Sequence, residues 1–202
     1  MPKNTGLPPK EGFARYAHEY DDREKYWDSF EQDALTPYIH AAQGKKVLDA
    51  GAGTGRLALR LKKAGAEVTA LDISSDMLDL LQKKDPEITI VEGDVEAMPL
   101  PDGTFDMVFS SLTLVHLKEI EPFLDECYRV LKDDGKLVLV NVHYRKPMVL
   151  KDGKGKYIIQ CYNHFPRHVR EAAESLAFGV EKELILKEED NIWISHVLVL
   201  RK

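Results

Sequence analysis

Lys46-Val47-Leu48-Asp49-Ala50-Gly51-Ala52-Gly53-Thr54-Gly55-Arg56 is the stretch on which the fold turns. A short apolar run carries a carboxylate, three glycines follow at alternate positions, and Leu57, Leu61 and Ala64 then repeat at helical spacing. Strand, glycine turn and helix in that order make the first half of a βαβ unit. Glycines in such a turn let the backbone pass within contact distance of a ligand, where a Cβ would clash, and the helix N-terminus is expected to add free amides. In an open α/β sheet the ligand lies beyond the carboxyl ends of the strands, where the strand order reverses. Asp72 ends the next strand signal, about 20 residues beyond the loop, the spacing at which a carboxylate reaches both ribose hydroxyls. The ligand is therefore expected to contain a nucleoside.

The alternation continues on both sides. Further strands are expected at residues 67–71, 88–91, 105–110 and 137–142, with helices at about 74–83 and 120–131. Near-continuous apolar strands alternating with helices mean a parallel sheet covered on both faces. Residues 149–159 read as a hairpin around Asp152-Gly153-Lys154-Gly155 and 167–176 as a helix. Residues 180–187 and 192–200 read as a final antiparallel pair joined by Glu188-Glu189-Asp190-Asn191. Upstream, Phe13, Tyr16, Ala17 and Tyr20 fall at i, i+3, i+4 and i+7, and Trp27 and Phe30 continue that apolar face to about Leu35. Before this aromatic helical piece, Pro2, Gly6, Pro8 and Pro9 predict a loose tail over residues 1–10. Asp106 is expected to cap the turn at Asp102-Gly103.

At 202 residues, 44% apolar and 31% charged, the chain reads as one ordinary domain. A single core of that size needs no disulfide or metal staple. With 28 Lys and Arg against 34 Asp and Glu, the net charge of −6 argues against a whole-surface nucleic-acid binder. Cys127 and Cys161 are too few and too far apart for a zinc site or a disulfide framework and read as reduced, packed thiols. No stretch approaches the roughly 20 apolar residues of a membrane span, so a cytoplasmic location is expected.

Dinucleotide sites space their glycines Gly-x-Gly-x-x-Gly, whereas here they stand at 51, 53 and 55, with Asp49 two residues ahead of the first. A carboxylate there suits a cationic amino-acid group better than a pyrophosphate. With Ala70-Leu71-Asp72-Ile73-Ser74, Met77-Leu78, the run Glu92 through Pro101 and Phe105-Asp106-Met107-Val108-Phe109-Ser110 in order, the chain resembles class I S-adenosylmethionine-dependent methyltransferases. The likeness is greatest to the small-molecule branch that includes the ubiquinone and menaquinone biosynthesis enzymes. It implies an α/β, Rossmann-like, doubly wound and mostly parallel seven-stranded sheet with a reversed final strand. It implies a single domain with a helical cap (1–43), a cofactor-binding core (44–142), a substrate-side insertion (143–170) and a C-terminal helix with two antiparallel strands (171–202).

The cofactor implied is S-adenosylmethionine, leaving as S-adenosylhomocysteine. By the same resemblance Asp49, Gly51, Ala52, Gly53 and Gly55 take its methionine part, and Asp72 takes the ribose. Asp94 takes the adenine amine beside the Val95 amide, Ile73 and Met77 pack on the ring, and Ser110 belongs to the same site. Tyr16 and Tyr20 are similar to the family's N-terminal aromatics that close over the cofactor. No metal is implied.

Methyl transfer from a sulfonium is an in-line displacement, so the protein mainly aligns a nucleophile and excludes water, and a base is optional. His116 and His143, just past expected strand ends, are the candidates for a base, with packing or loop bonding as the other reading of each. Between Arg145 and Arg170 seven basic residues meet one acid, Asp152, with Tyr144, Tyr157, Tyr162 and Phe165 interleaved. Such a segment reads either as a basic roof for an anionic small-molecule acceptor or as a solvated hairpin edge protected by lysines. The alternatives are a non-catalytic cofactor-binding or interaction module and an RNA or protein methyltransferase. The glycine spacing disfavours a nicotinamide-dependent oxidoreductase.

Overall fold

The computed structural model describes residues 6–144, 148–187 and 193–202. In chain order the elements are α1 (Pro9–Tyr20), α2 (Glu24–Ser29), α3 (Thr36–Ala41), β1 (Lys46–Ala50), α4 (Arg56–Lys63), β2 (Glu67–Asp72), α5 (Ser75–Lys84), β3 (Thr89–Glu92) and β4 (Phe105–Ser111). They continue with α6 (Glu121–Val130), β5 (Leu131–Tyr144), β6 (Val149–Asp152), β7 (Gly155–Ile158), α7 (Pro166–Ser175), β8 (Gly179–Lys187) and β9 (Trp193–Arg201). Seven strands form one sheet in the order β3-β2-β1-β4-β5-β9-β8, and β6 and β7 pair separately. The contacts from β3 to β5 are parallel, and β9 runs antiparallel to both β5 and β8. The last strand is therefore the reversed one, as the resemblance implied.

Alternation of side chains along the strands builds two cores. Leu48, Val108, Leu139 and Leu198 point to the face covered by α6 and α7, where Phe123, Leu124 and Val169 are buried. Val47, Met107, Val138 and Val199 point to the face covered by α3, α4 and α5. A third cluster joins the front helices to the hairpin over the end of β5, through Tyr16, Trp27, Phe30, Val142, Met148 and Ile159.

Three expectations are corrected. The apolar face does not run on along a continuous helix: α1 stops at Tyr20, and a tight turn at Asp21–Arg23 leads into α2. The indole Nε1 of Trp27 donates to the Tyr20 carbonyl at 3.1 Å, and the two rings stack at 5.2 Å, so the turn satisfies an orphan helix-end acceptor. Residues 6–10 of the expected tail are tied down. The Leu7 amide donates to Ile158 O, the Gln160 amide donates back to Leu7 O, and α1 starts at Pro9, where the missing N–H costs nothing. Asp106 does not cap Asp102-Gly103: it accepts from the Lys46 amide at 2.8 Å and the Lys132 ammonium at 2.7 Å, tying β4 to β1 and β5. The turn 188–191, Arg145 and Lys146 lie outside the described residues.

Candidate active site

The carboxyl ends of β1, β2 and β4 meet at one edge of the sheet, and a cavity opens there beneath α1. Gly51 and Gly53 line its wall, with φ of 82° and 54°. A Cβ on Gly51 would stand 2.2 Å from Thr113 Oγ1, whereas one on Gly53 would meet nothing within 4 Å and would project into open space. Gly55 (φ 90°) does not line the cavity; its missing Cβ makes room for Leu81, 2.2 Å from where that atom would stand. Ala52 packs into the core beside Leu57.

Four amides of the loop itself are engaged. Those of Gly51 and Ala52 donate to Leu71 O (2.8 and 3.0 Å), that of Gly55 to Ala52 O, and that of Gly53 to Asp72 Oδ2 at 2.8 Å. Three of these N–H groups hold the turn against β2 and the fourth closes the turn on itself, so none of the four is left for a pyrophosphate. What the loop offers a ligand is close approach.

Asp72 lines the cavity and also accepts from the Ser74 amide at 2.9 Å. Burial pushes its carboxyl up, while these two amides pull it down. Ile73 and Met77 stand beside it, the first 36% exposed and the second buried. Asp94 and Val95 complete this wall, the Asp94 carboxylate accepting from the Glu96 amide at 2.9 Å. Asp49 does not line the cavity: it is buried below the loop, with its Oδ2 lacking a partner among the described residues. Burial pushes its carboxyl up to about 7, against the pull of Arg56.

The opposite wall is apolar: Phe13, Tyr20, Trp27, Leu112, Val142 and Met148. Burial pushes the Tyr20 phenol up to about 12, so it stays protonated. Tyr16 is buried in the adjoining cluster, edge-on to Tyr20 at 6.3 Å, and does not line the cavity. Ser110 does not reach it either, because its hydroxyl donates to Ala50 O at 2.7 Å; its neighbour Ser111 does. Leu112, at φ 63°, takes a left-handed conformation that nothing in its side chain announces, and it turns Thr113 back toward the glycine loop.

The two histidines part company. His116 lines the cavity with its Nδ1 3.2 Å from the Gln160 carbonyl and its ring edge-on to Phe13 at 4.8 Å. Burial pushes it down to about 4. His143 is not among the cavity residues and packs against Phe165 at 4.4 Å, on the sheet face opposite to that of Val142. The hairpin lysines Lys151, Lys154 and Lys156 are exposed, and the cavity's one described lysine, Lys10, pairs with Glu92 at 3.2 Å.

The strand order, the reversed β9 and the glycine loop at the switch point define the class I methyltransferase fold. Residues 48–139 match the family model described as "Methyltransferase domain". Over 161 residues the chain is 29% identical to a demethylmenaquinone methyltransferase of Renibacterium salmoninarum, covering 79% of this chain and 68% of that one. Over 106 residues it is 37% identical to a malonyl-[acyl-carrier protein] O-methyltransferase of Erwinia billingiae, covering 52% of this chain and 42% of the relative. It thus spans about two thirds of the first and less than half of the second. Among solved structures, the PH0226 protein of Pyrococcus horikoshii superposes with a TM-score of 0.76 at 21% identity, covering 95% of this chain and 96% of that one. The Burkholderia thailandensis 1,6-didemethyltoxoflavin-N1-methyltransferase, solved with S-adenosylhomocysteine, gives 0.71 at 18%, covering 96% and 86%. The chain thus has the class I S-adenosylmethionine-dependent methyltransferase fold, and its residues 48–139 match a methyltransferase domain.

Proposed function

We propose that this chain transfers the methyl group of S-adenosylmethionine to a small, largely apolar acceptor held between the glycine loop and the front helices. The observation that carries this reading is one cavity with two unlike walls: a polar edge of Gly53, Asp72 and Asp94, and an apolar face of Phe13, Trp27, Leu112 and Met148. Two features fit the cofactor. Asp49 keeps an unpartnered buried oxygen of the right charge for an aminium, and the space in front of Gly53 is one that a Cβ would fill. In this reading Asp72 holds the ribose hydroxyls, Asp94 and the Val95 amide the adenine edge, Ile73 and Met77 the ring, and Tyr20 closes the methionine end.

When bound, the cofactor supplies an electrophilic methyl; the residues supply alignment and dryness. With committed amides and no cation in the loop, the site is built for a sulfonium nucleoside rather than a dinucleotide. The outward-facing hairpin lysines support the solvated-edge reading of the basic segment, so an uncharged acceptor is favoured over an anionic one and over RNA. Among the described residues no helix is long and apolar enough to cross a membrane; we place the reaction in the cytoplasm.

Isothermal titration with S-adenosylmethionine, S-adenosylhomocysteine and NAD tests the cofactor: the first two bind, and binding of NAD alone overturns the reading. Asp72→Ala weakens S-adenosylhomocysteine binding by about 10- to 100-fold while the chain stays folded. Tight cofactor binding with no product from a broad acceptor panel would favour a non-catalytic binding module.

A further inference from the structure

His116 is the single hydrogen-bonding imidazole among the described cavity residues, and its surroundings dictate its protonation. A carbonyl oxygen can only accept, so the 3.2 Å contact between Nδ1 and Gln160 O places the ring proton on Nδ1. Cys161 Sγ lies 3.9 Å from the same nitrogen, and burial pushes that thiol up to about 11, so it brings no charge. Phe13 covers the ring edge-on. Burial lowers the basicity of the ring, and the Gln160 carbonyl opposes it. A general base near neutral pH needs a pKa matched to its task and usually a partner that steadies the imidazolium, and here both are missing. Nε2, at the far side of the ring, has a lone pair and no hydrogen-bond partner among the described residues.

We infer that His116 is a specificity-determining residue whose neutral Nε2 accepts a hydrogen bond from an O–H or N–H of the methyl acceptor. The acceptor class is then a compact, uncharged, planar or apolar molecule bearing at least one such donor, with Phe13, Trp27 and Met148 around its carbon frame. This rests on the methyltransferase reading of the cavity. It assigns His116 the task of orienting the acceptor, not of keeping its proton.

Phenol and anisole are suitable probes, alike in shape and differing in the hydroxyl hydrogen. With 15N-labelled histidine and S-adenosylhomocysteine present, the His116 resonances should show an Nδ1–H tautomer that does not titrate between about pH 5.5 and 8. Phenol should move the Nε2 resonance and anisole should not. His116→Phe should weaken phenol binding about fivefold and leave anisole unchanged, while His116→Gln, which keeps an acceptor, should retain part of the preference. An Nε2–H tautomer, a titration within that range, equal binding of the two probes or no phenol binding at all overturns the inference. If S-adenosylhomocysteine itself fails to bind the wild-type chain, the methyltransferase reading falls instead, so the two failures are distinguishable.

Discussion

Arg56, the first residue of α4, and Glu31, which follows α2, form an ion pair inside the protein, their side chains 7% and 0% exposed. Glu31 also accepts from Arg60 at 2.8 Å and from the Ser111 hydroxyl at 2.5 Å, and Asp28 takes a second Arg56 nitrogen at 2.7 Å. Although burial opposes both ionised forms, the pair holds the Glu31 carboxyl below and the Arg56 guanidinium above their ordinary ranges. A few residues away, Asp21 accepts from Thr54 Oγ1 at 2.6 Å and pairs with Lys84 at 2.5 Å. Through these contacts the acids of the front helices grip the residues that shape the glycine loop.

Removing one partner of that pair should be costly. Glu31→Ala leaves the buried Arg56 with Asp28 as its one remaining carboxylate partner among the described residues and is expected to destabilise the fold by about 3–5 kcal/mol. Urea unfolding of wild type and variant measures it; a change below about 1 kcal/mol would mean that water already screens the pair.

Asp49 makes stability and cofactor affinity depend on pH in opposite senses. Its folded pKa of about 7 lies above the ordinary 3.8, so the folded state binds more protons in that interval. Stability from this group is full below the ordinary value, falls as pH rises toward about 7 and then levels. A cationic ligand favours the ionised form, so S-adenosylhomocysteine should bind more tightly as pH rises through about 6–7, by up to about tenfold per unit. Titration calorimetry across that range should show the slope in wild type and a flattened one in Asp49→Asn.

The glycines should separate by role. Gly55→Ala places a Cβ against Leu81 at a left-handed φ and should cost about 1–3 kcal/mol of stability. Gly53→Ala meets open space, so it should cost about 1 kcal/mol from φ alone yet reduce S-adenosylhomocysteine affinity at least about tenfold. Paired melting and binding measurements decide the matter, and equal effects at both sites would remove the distinction.

α1 and the β6–β7 hairpin, distant in sequence, are clasped together. Arg15 of α1 holds Asp152 of β6 through two nitrogens and lies 4.1 Å over the Tyr157 ring, whose hydroxyl donates to Gly12 O at 3.2 Å. Arg15 keeps the Asp152 carboxyl well below its ordinary value, so the clasp is present above the usual carboxylate range and is lost only in strong acid. Arg15→Ala should raise amide hydrogen exchange in residues 7–12 and 149–158 together while leaving β1, β2 and β4 protected. Faster exchange in one segment alone would show that they move separately.

Much of this was readable beforehand from local signals. β1 ends at Ala50 and α4 begins at Arg56 because an apolar run and helical spacing flank three glycines, and the hairpin at 149–158 was visible in its Gly-rich turn. The wall formed by Gly51, Gly53, Asp72, Ile73, Met77, Asp94 and Val95 was legible for the same reason: its members follow strand ends in a fixed order. Ser110 and Ser111 could not be told apart, since which neighbour faces the cavity depends on where the strand's alternation gives way to the turn at Leu112. His116 and His143 looked equivalent at the ends of strands, until the pleat of β5 turned His143 to the far face.

What the amino-acid order determined by itself is therefore the α/β architecture and the polar wall of the cavity, because strand and helix periods and glycine turns are short-range properties of the chain. Only the tertiary structure decided how the front helices close that site. Glu31 meets Arg56, Arg15 meets Asp152, and Leu7 pairs beside Ile159 through contacts between segments far apart in sequence, whose geometry depends on how every intervening element packs. The charge of the basic segment was likewise a fact of composition; its direction, outward into solvent at Lys151 and Lys156, was set by the register of β6 against β7.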